Sequence, residues 1–183
     1  MLAGDDNGGF VTELPSPDLR EDKLYARLRA LDIDWTHYAH VPVFTVEEAL
    51  QVNLSQPGGH TKNLFLKDKK GGLWLVVLRD DFRLDLNALS KQIGAPRFSF
   101  GSGELLIETL GVPPGSVTPF SLINDTQHKV RVVLDAEMLK QEPLNYHPLR
   151  NDRTISVSKD DLLKFIAACG HTPMIETLPE VKA

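Results

Sequence analysis

The most informative stretch of this sequence reads Gly58-Gly59-His60-Thr61-Lys62-Asn63-Leu64-Phe65-Leu66-Lys67-Asp68. Its apolar end is typical of a strand, Lys69-Lys70-Gly71-Gly72 of a turn, and Leu73 to Leu78 of a second strand, so we predict a β-hairpin. Lys62 then enters a core strand, where its ammonium can be positioned and partly desolvated to bind a phosphate or polarise a carbonyl. The ordinary alternative is a lysine whose stem covers apolar surface while its charge stays in water.

The rest of the pattern mixes helices and strands without regular βαβ alternation. Thr45-Val46-Glu47-Glu48 has the spacing of a capping box, and Asp18 with Glu21 predicts an earlier helix in the same way. Ser102 and Ser158 are predicted to cap two later helices. Further strands are predicted over residues 35–40, 97–100, 129–135 and 154–157. We therefore favour an α+β fold over a doubly wound one.

Length and composition predict one compact cytosolic domain. The chain has 183 residues, 42% of them hydrophobic, which is enough for a substantial core. Its apolar runs are far shorter than the roughly 20 residues of a membrane span, and its first residues lack the features of a signal peptide. We expect a flexible tail over residues 1–16, a domain over residues 17–178, and no membrane partner.

The formal net charge of −5 argues against a protein that coats long stretches of duplex, so we expect no DNA partner. It does not exclude tRNA, because holding the end of an acceptor stem needs few phosphate contacts. The basic side chains that are available for such contacts are Lys62, Lys67, Lys69, Lys70, Arg150 and Arg153.

The sequence indicates no catalytic thiol, no metal site and no serine triad. The single cysteine, Cys169, lies in an apolar helical pattern that favours packing. His37 and His40 fall in a predicted strand and lack a zinc-binding pattern, so we expect ordinary surface or packed histidines. Ser116 follows Gly115, but the surrounding residues do not form a nucleophile elbow, and we reject a serine hydrolase.

Three segments, Gly58 to Asp68, Gly115 to Phe120 and His147 to Thr154, stand in the order expected of one family. Together they resemble the YbaK/prolyl-tRNA-synthetase-associated editing domains, most closely the free-standing alanyl-tRNA(Pro) deacylases. The resemblance extends from about Leu19 to Thr177. It implies a mixed, strongly curved or barrel-like sheet surrounded by helices, and neither a metal nor an organic cofactor.

The resemblance also implies roles for particular residues. Lys62 matches the family's most important functional position, where it would stabilise negative charge on an ester carbonyl. Asn63 would orient the ribose or the attacking water, or else make a hydrogen bond at the strand start. His147 would bind the aminoacyl group or position water, or else make a turn contact to backbone. Substrate-binding positions are implied at Gly115, Ser116, Val117, Thr118, Pro119, Lys67 and Asn151.

The implied activity is hydrolysis of the ester that joins a small, mischarged amino acid to tRNA(Pro). Alanine is the expected amino acid, because a synthetase pocket for proline cannot strongly reject a smaller side chain by binding alone. The partners are then the acceptor end of tRNA(Pro) and prolyl-tRNA synthetase. Two alternatives stay open: a cysteinyl-tRNA(Pro) deacylase, and a non-catalytic module of the same fold that binds tRNA or the synthetase.

Overall fold

The computed structural model describes residues 13–53 and 56–182. Of the predicted N-terminal tail, only residues 13–16 fall within this part. No helix among the described residues is long and apolar enough to cross a membrane.

Helices and strands follow one another irregularly along the described chain. The helices are α1 (Pro17–Ala30), α2 (Val46–Asn53), α3 (Leu86–Gln92), α4 (Gly103–Leu110) and α5 (Lys159–Ala168). The strands are β1 (Thr36–Ala39), β2 (Thr61–Asp68), β3 (Leu73–Arg79), β4 (Phe98–Phe100), β5 (Val130–Asp135), β6 (Leu144–Tyr146), β7 (Arg153–Val157) and β8 (Met174–Glu176).

The strands form two sheets. The larger sheet has the order β4-β2-β3-β5-β8, with antiparallel pairing on both sides of β2 and parallel pairing on both sides of β5. The smaller sheet has the order β1-β7-β6 and is antiparallel throughout. The predicted α+β class with a mixed sheet is confirmed, and the described strands form two open sheets instead of one closed barrel.

The two sheets are joined where the turn before β2 meets the start of β6. The amide of Gly59 donates to the carbonyl of Pro143 at 2.8 Å, and the amide of Asn145 donates to the carbonyl of Gly59 at 3.0 Å. Gly58 has a φ of +98°, and a Cβ atom there would lie 2.3 Å from the Pro143 oxygen. Only glycine fits at position 58. We call the contact of Gly58 and Gly59 with Pro143 to Asn145 the sheet junction.

Hydrophobic cores cover both faces of the larger sheet, because successive strand residues point to opposite sides. Leu75 and Val77 of β3 belong to the main core, which also contains buried residues of β6, β7 and α5. Trp74 and Val76 belong to a second core with Leu89 of α3. The smaller sheet and the larger one therefore share the main core, and the sheet junction lies at its edge.

Most predicted helix caps are confirmed, and one is wrong. Ser102 and Ser158 accept hydrogen bonds from backbone amides at the starts of α4 and α5. At α1, the N-cap is Ser16 instead of Asp18, and Pro17 occupies the first helical position. Proline suits that position because its fixed φ is already helical and its missing N–H has no helical partner there.

Candidate active site

A cavity of about 610 Å³ opens beside the sheet junction, within the size range of small-molecule sites. Its wall combines apolar side chains from the segment around α2 with polar side chains from β2, β6 and the ends of β1 and β3. The lining residues are His40, Val43, Phe44, Thr45, Leu50, Val52, His60, Thr61, Lys62, Asp80, Asp81, Pro114, Gly115, Asn145, Tyr146, His147 and Thr154. The cavity thus brings together residues from all three sequence segments, including Lys62, Gly115 and His147.

Lys62 reaches the cavity from the second position of β2. Its Nζ atom donates a hydrogen bond of 2.5 Å to the carbonyl oxygen of Phe82. Burial lowers the pKa of Lys62, whereas the nearby carboxylates of Asp80 and Asp81 raise it. An ammonium carries three donors, and one carbonyl takes only one of them. Lys62 is therefore a held and partly desolvated positive charge.

His147 follows β6 and presents one of its two ring nitrogens to a fixed acceptor. Its Nδ1 atom lies 2.8 Å from the carbonyl oxygen of Arg153, which can only accept, so Nδ1 carries the proton. In the neutral ring, Nε2 then holds the lone pair. Burial lowers the pKa of His147 below its usual 6.5, the Arg153 carbonyl raises it, and the neighbouring His40 lowers it. The neutral form is thereby favoured.

His40, which the sequence predicts to be an ordinary surface or packed histidine, lines the cavity. Its Nδ1 atom lies 2.7 Å from the carbonyl of Val41 and its Nε2 atom 2.9 Å from the hydroxyl of Thr154. When the ring is neutral, the carbonyl keeps the proton on Nδ1 and Nε2 accepts from the Thr154 hydroxyl. The rings of His40 and His147 are 6.1 Å apart between centroids. The cavity therefore contains an oriented histidine pair.

The predicted loop contributes its tip to the cavity. Gly115 lines it together with Pro114 and has a φ of +89°, which L side chains rarely adopt. A Cβ atom at Gly115 would lie 3.8 Å from the ring of Phe44 and 3.8 Å from the side-chain Nδ2 atom of Asn151, which is ordinary van der Waals contact. Backbone conformation, and not lack of space, therefore favours glycine here.

The other predicted loop residues lie beneath the tip. Ser116, Thr118 and Pro119 are buried, and Val117 packs against the main core. The Thr118 hydroxyl accepts from the Phe120 amide and begins a 3₁₀ turn over Pro119–Asn124. These four residues hold the loop in place, and their predicted contacts with substrate stay predictions.

Asn63, Lys67 and Asn151 do not line the cavity. The Oδ1 atom of Asn63 is buried and has no hydrogen-bond partner among the described residues. Lys67 is exposed five positions beyond Lys62, which corresponds to roughly 16 Å along a strand. Asn151 lies behind Gly115, close to the loop tip. The functions predicted for these three residues stay predictions.

Arg150, predicted as a phosphate contact, is surrounded by carboxylates. Its guanidinium binds Asp152 at 2.5 and 2.8 Å, Glu21 at 3.1 Å, and also Asp18. The Asp152 carboxylate is the main reason that the pKa of Arg150 is raised. This cluster ties α1 to the segment before β7, and Arg150 has its charge compensated within the chain.

A family model for the aminoacyl-tRNA editing domain matches residues 40–165. The chain belongs to the aminoacyl-tRNA editing domain family. This match spans more than half of the sequence and includes Lys62, Gly115 and His147.

Two relatives of this editing domain match over most of their length. Prolyl-tRNA synthetase associated domain-containing protein 1 of Danio rerio is 41% identical over 160 residues, covering 86% of each chain. The prolyl-tRNA editing protein ProX of Acetoanaerobium sticklandii is 36% identical over 148 residues, covering 80% of this chain and 90% of the relative.

Solved structures share the fold of this editing domain. A crystal structure proposed to be a trans-editing enzyme for prolyl-tRNA synthetase superposes with a TM-score of 0.69 and 19% identity, covering 91% of this chain and 99% of the other. At this identity the likeness concerns the fold alone. The recognised family and the mixed α+β architecture are therefore both established.

Proposed function

We propose that this protein is a trans-acting aminoacyl-tRNA deacylase that hydrolyses alanyl-tRNA(Pro) and so proofreads for prolyl-tRNA synthetase. The observation that carries the proposal is the cavity that contains the ammonium of Lys62 and the imidazole of His147. An ester hydrolase needs a group that stabilises the oxyanion and a group that accepts a proton from water, and these two side chains can supply them. The prolyl-tRNA editing protein ProX, a full-length relative, supports the choice of substrate.

The reaction begins when the ester carbonyl of the aminoacyl group enters the cavity. A water molecule attacks the carbonyl carbon and transfers a proton to the Nε2 atom of His147, whose lone pair is left by the Nδ1 contact to Arg153. Negative charge develops on the carbonyl oxygen, and the Lys62 ammonium stabilises it. Because Lys62 is already held by Phe82, little reorganisation is needed when this charge appears.

Collapse of the tetrahedral intermediate breaks the bond to the ribose oxygen. His147 returns its proton to that oxygen, which leaves as the free hydroxyl of tRNA, and the amino acid is released as a carboxylic acid that loses the remaining proton of the water to solvent. Proton acceptance requires the neutral imidazole, and burial of His147 favours that form. Each proton and bond is thus accounted for by side chains of this chain, water and the substrate.

A panel assay tests the proposal. The protein is incubated with alanyl-, cysteinyl-, seryl- and prolyl-tRNA(Pro) and with alanyl-tRNA(Ala), and loss of labelled amino acid is followed under single-turnover conditions. We expect the fastest hydrolysis with alanyl-tRNA(Pro). A preference for cysteinyl-tRNA(Pro) would change the assigned substrate, and tight tRNA binding without hydrolysis of any member would identify a non-catalytic module.

A further inference from the structure

One aromatic side chain stands exposed at the mouth of the cavity. Phe44 is 73% exposed and also lines the cavity. One edge of its ring approaches Gly115, since the Cδ1 and Cε1 atoms lie 3.8 and 4.0 Å from where a Cβ atom of that residue would be. The ring therefore borders the loop tip with its edge and leaves most of its surface to solvent.

The backbone that carries Phe44 is fixed on both sides. Its own amide donates to the Glu48 carboxylate at 2.7 Å, and the Thr45 amide donates to the same oxygen at 3.1 Å. In return, the Glu48 amide donates to the Thr45 hydroxyl at 3.2 Å, which completes a capping box. On the preceding side, the Val43 amide donates to the Asn151 carbonyl at 3.3 Å.

Packing within the chain does not account for Phe44. An apolar residue before a helix cap commonly packs on the first helical turn, which would bury it. Here the side chain stays 73% exposed although its backbone is held. An aromatic ring whose backbone is already held loses less conformational freedom on binding than one on a mobile segment.

We propose that Phe44 is the stacking surface for the terminal nucleobase of the aminoacylated acceptor strand. This inference rests on the proposed function, because an aminoacyl group whose ester lies in the cavity is bonded to the ribose of a terminal adenosine. The base is one sugar away from the ester and has to lie at the cavity mouth, where Phe44 and the exposed Pro114 are found. Stacking on an aromatic ring is the usual way in which proteins bind an unpaired base.

The first test compares variants in single-turnover hydrolysis of alanyl-tRNA(Pro). Phe44→Ala should lower kcat/KM by about 5- to 150-fold, the range expected for loss of one base stack. Phe44→Trp should stay within about threefold of the unchanged protein, because a larger ring stacks as well. Phe100→Ala is the matched control, since Phe100 is another exposed phenylalanine, at 67%, and lies on β4 outside the cavity lining.

The second test measures base binding without hydrolysis. Fluorescence of the Phe44→Trp protein should be quenched by adenosine 5′-monophosphate and not by ribose 5-phosphate, which lacks the base. The unchanged protein, whose own tryptophans are Trp35 and Trp74, gives the background signal. Equal quenching by both compounds would overturn the stacking role.

The outcomes separate this inference from the proposed function. If the unchanged protein hydrolyses alanyl-tRNA(Pro) and Phe44→Ala is within twofold of it, the stacking surface is refuted and the deacylase stands. Equal losses in Phe44→Ala and Phe100→Ala would also refute it, because the effect would not be specific to the mouth. If no aminoacyl-tRNA is hydrolysed while base-dependent quenching persists, the deacylase fails and the nucleobase site stands.

Discussion

The Nζ atom of Lys62 and the carbonyl oxygen of Phe82 are 2.5 Å apart, although twenty positions separate the two residues. The contact draws the lysine towards the segment that follows β3, where Asp80 and Asp81 also line the cavity. This hydrogen bond restricts the positions that the Lys62 ammonium can take when a ligand binds. The hairpin of β2 and β3 therefore orients the charge as well as supplying it.

Replacing Lys62 by alanine should reduce single-turnover hydrolysis of alanyl-tRNA(Pro) by about 10²- to 10³-fold, as expected for loss of one oxyanion-stabilising group. Thermal unfolding should change little, because a strand-entry lysine contributes more to the cavity than to the core. Lys129→Ala, at an exposed lysine outside the cavity lining, serves as the matched control. Near-normal turnover by folded Lys62→Ala protein would remove Lys62 from the mechanism.

The pH dependence of hydrolysis should report the histidine pair. Because the pKa of His147 is lowered, the neutral base persists at pH 6.5 and is lost only as the pH falls through that lowered pKa. Burial and, to a smaller extent, the neighbouring His40 lower this pKa, while the Arg153 carbonyl and Asp152 raise it. His40→Asn should therefore raise the pKa of His147 and move the acidic limb of the rate profile to higher pH.

The control for this profile is His37→Asn, which changes a histidine of β1 outside the cavity lining. Its acidic limb should coincide with that of the unchanged protein. An identical limb in the His40 and His37 variants would contradict the assigned coupling between His40 and His147.

Chelation and thiol alkylation should leave hydrolysis intact. In the part of the chain that the structure describes, no three His, Cys, Asp or Glu side chains are grouped to hold a metal ion. Burial raises the pKa of Cys169 to about 11, so little reactive thiolate is present near neutral pH. We expect unchanged rates after EDTA and after iodoacetamide; restoration by zinc of activity lost to EDTA would reveal a metal requirement.

Selectivity should favour alanine over proline by about 5- to 150-fold in kcat/KM. The loop tip at Pro114 and Gly115 borders the cavity, and overfilling a packed site commonly costs about 1–3 kcal/mol. The comparison is made with alanyl- and prolyl-tRNA(Pro) in parallel single-turnover reactions. Equal rates for the two substrates would be incompatible with an editing role.

Asn145 should be important for stability as well as for the cavity wall. Its side-chain amide donates to the carbonyls of Pro57 and Gly59 at 3.0 and 3.1 Å, and its Oδ1 atom accepts from the Ser156 hydroxyl at 2.5 Å. Asn145→Ala removes these three hydrogen bonds and leaves the buried Ser156 hydroxyl without this acceptor, which should lower the free energy of unfolding by about 1–3 kcal/mol. Denaturant titration measures the loss, and Asn87→Ala, at an exposed asparagine of α3, is the control.

Local patterns predicted the hairpin, most helices and the position of Lys62, because they depend on neighbours in sequence. The capping box at Thr45 and the caps at Ser102 and Ser158 are of this kind. Strands β6 and β8 were not predicted. Each has only three residues, and their pairing with β7 and β5 depends on distant segments.

The composition of the cavity was only partly predictable for the same reason. Lys62 and Gly115 were identified through motifs. That both line the same cavity follows only from the folded structure. His40 has no distinctive pattern, and its significance arises from Thr154 and His147, more than a hundred positions away. Asp80 and Asp81 follow the apolar run of β3, where acidic residues are ordinary turn formers.

The sheet junction has a consequence for synthesis on the ribosome. Gly59 and Asn145, which hydrogen-bond across it, are 86 positions apart, and Ser156 comes later still. The Lys62 wall is therefore translated long before the His147 wall. A nascent chain stalled before β6 emerges lacks the wall that contains Asn145 and His147 and should not act on charged tRNA at the ribosome that is making it.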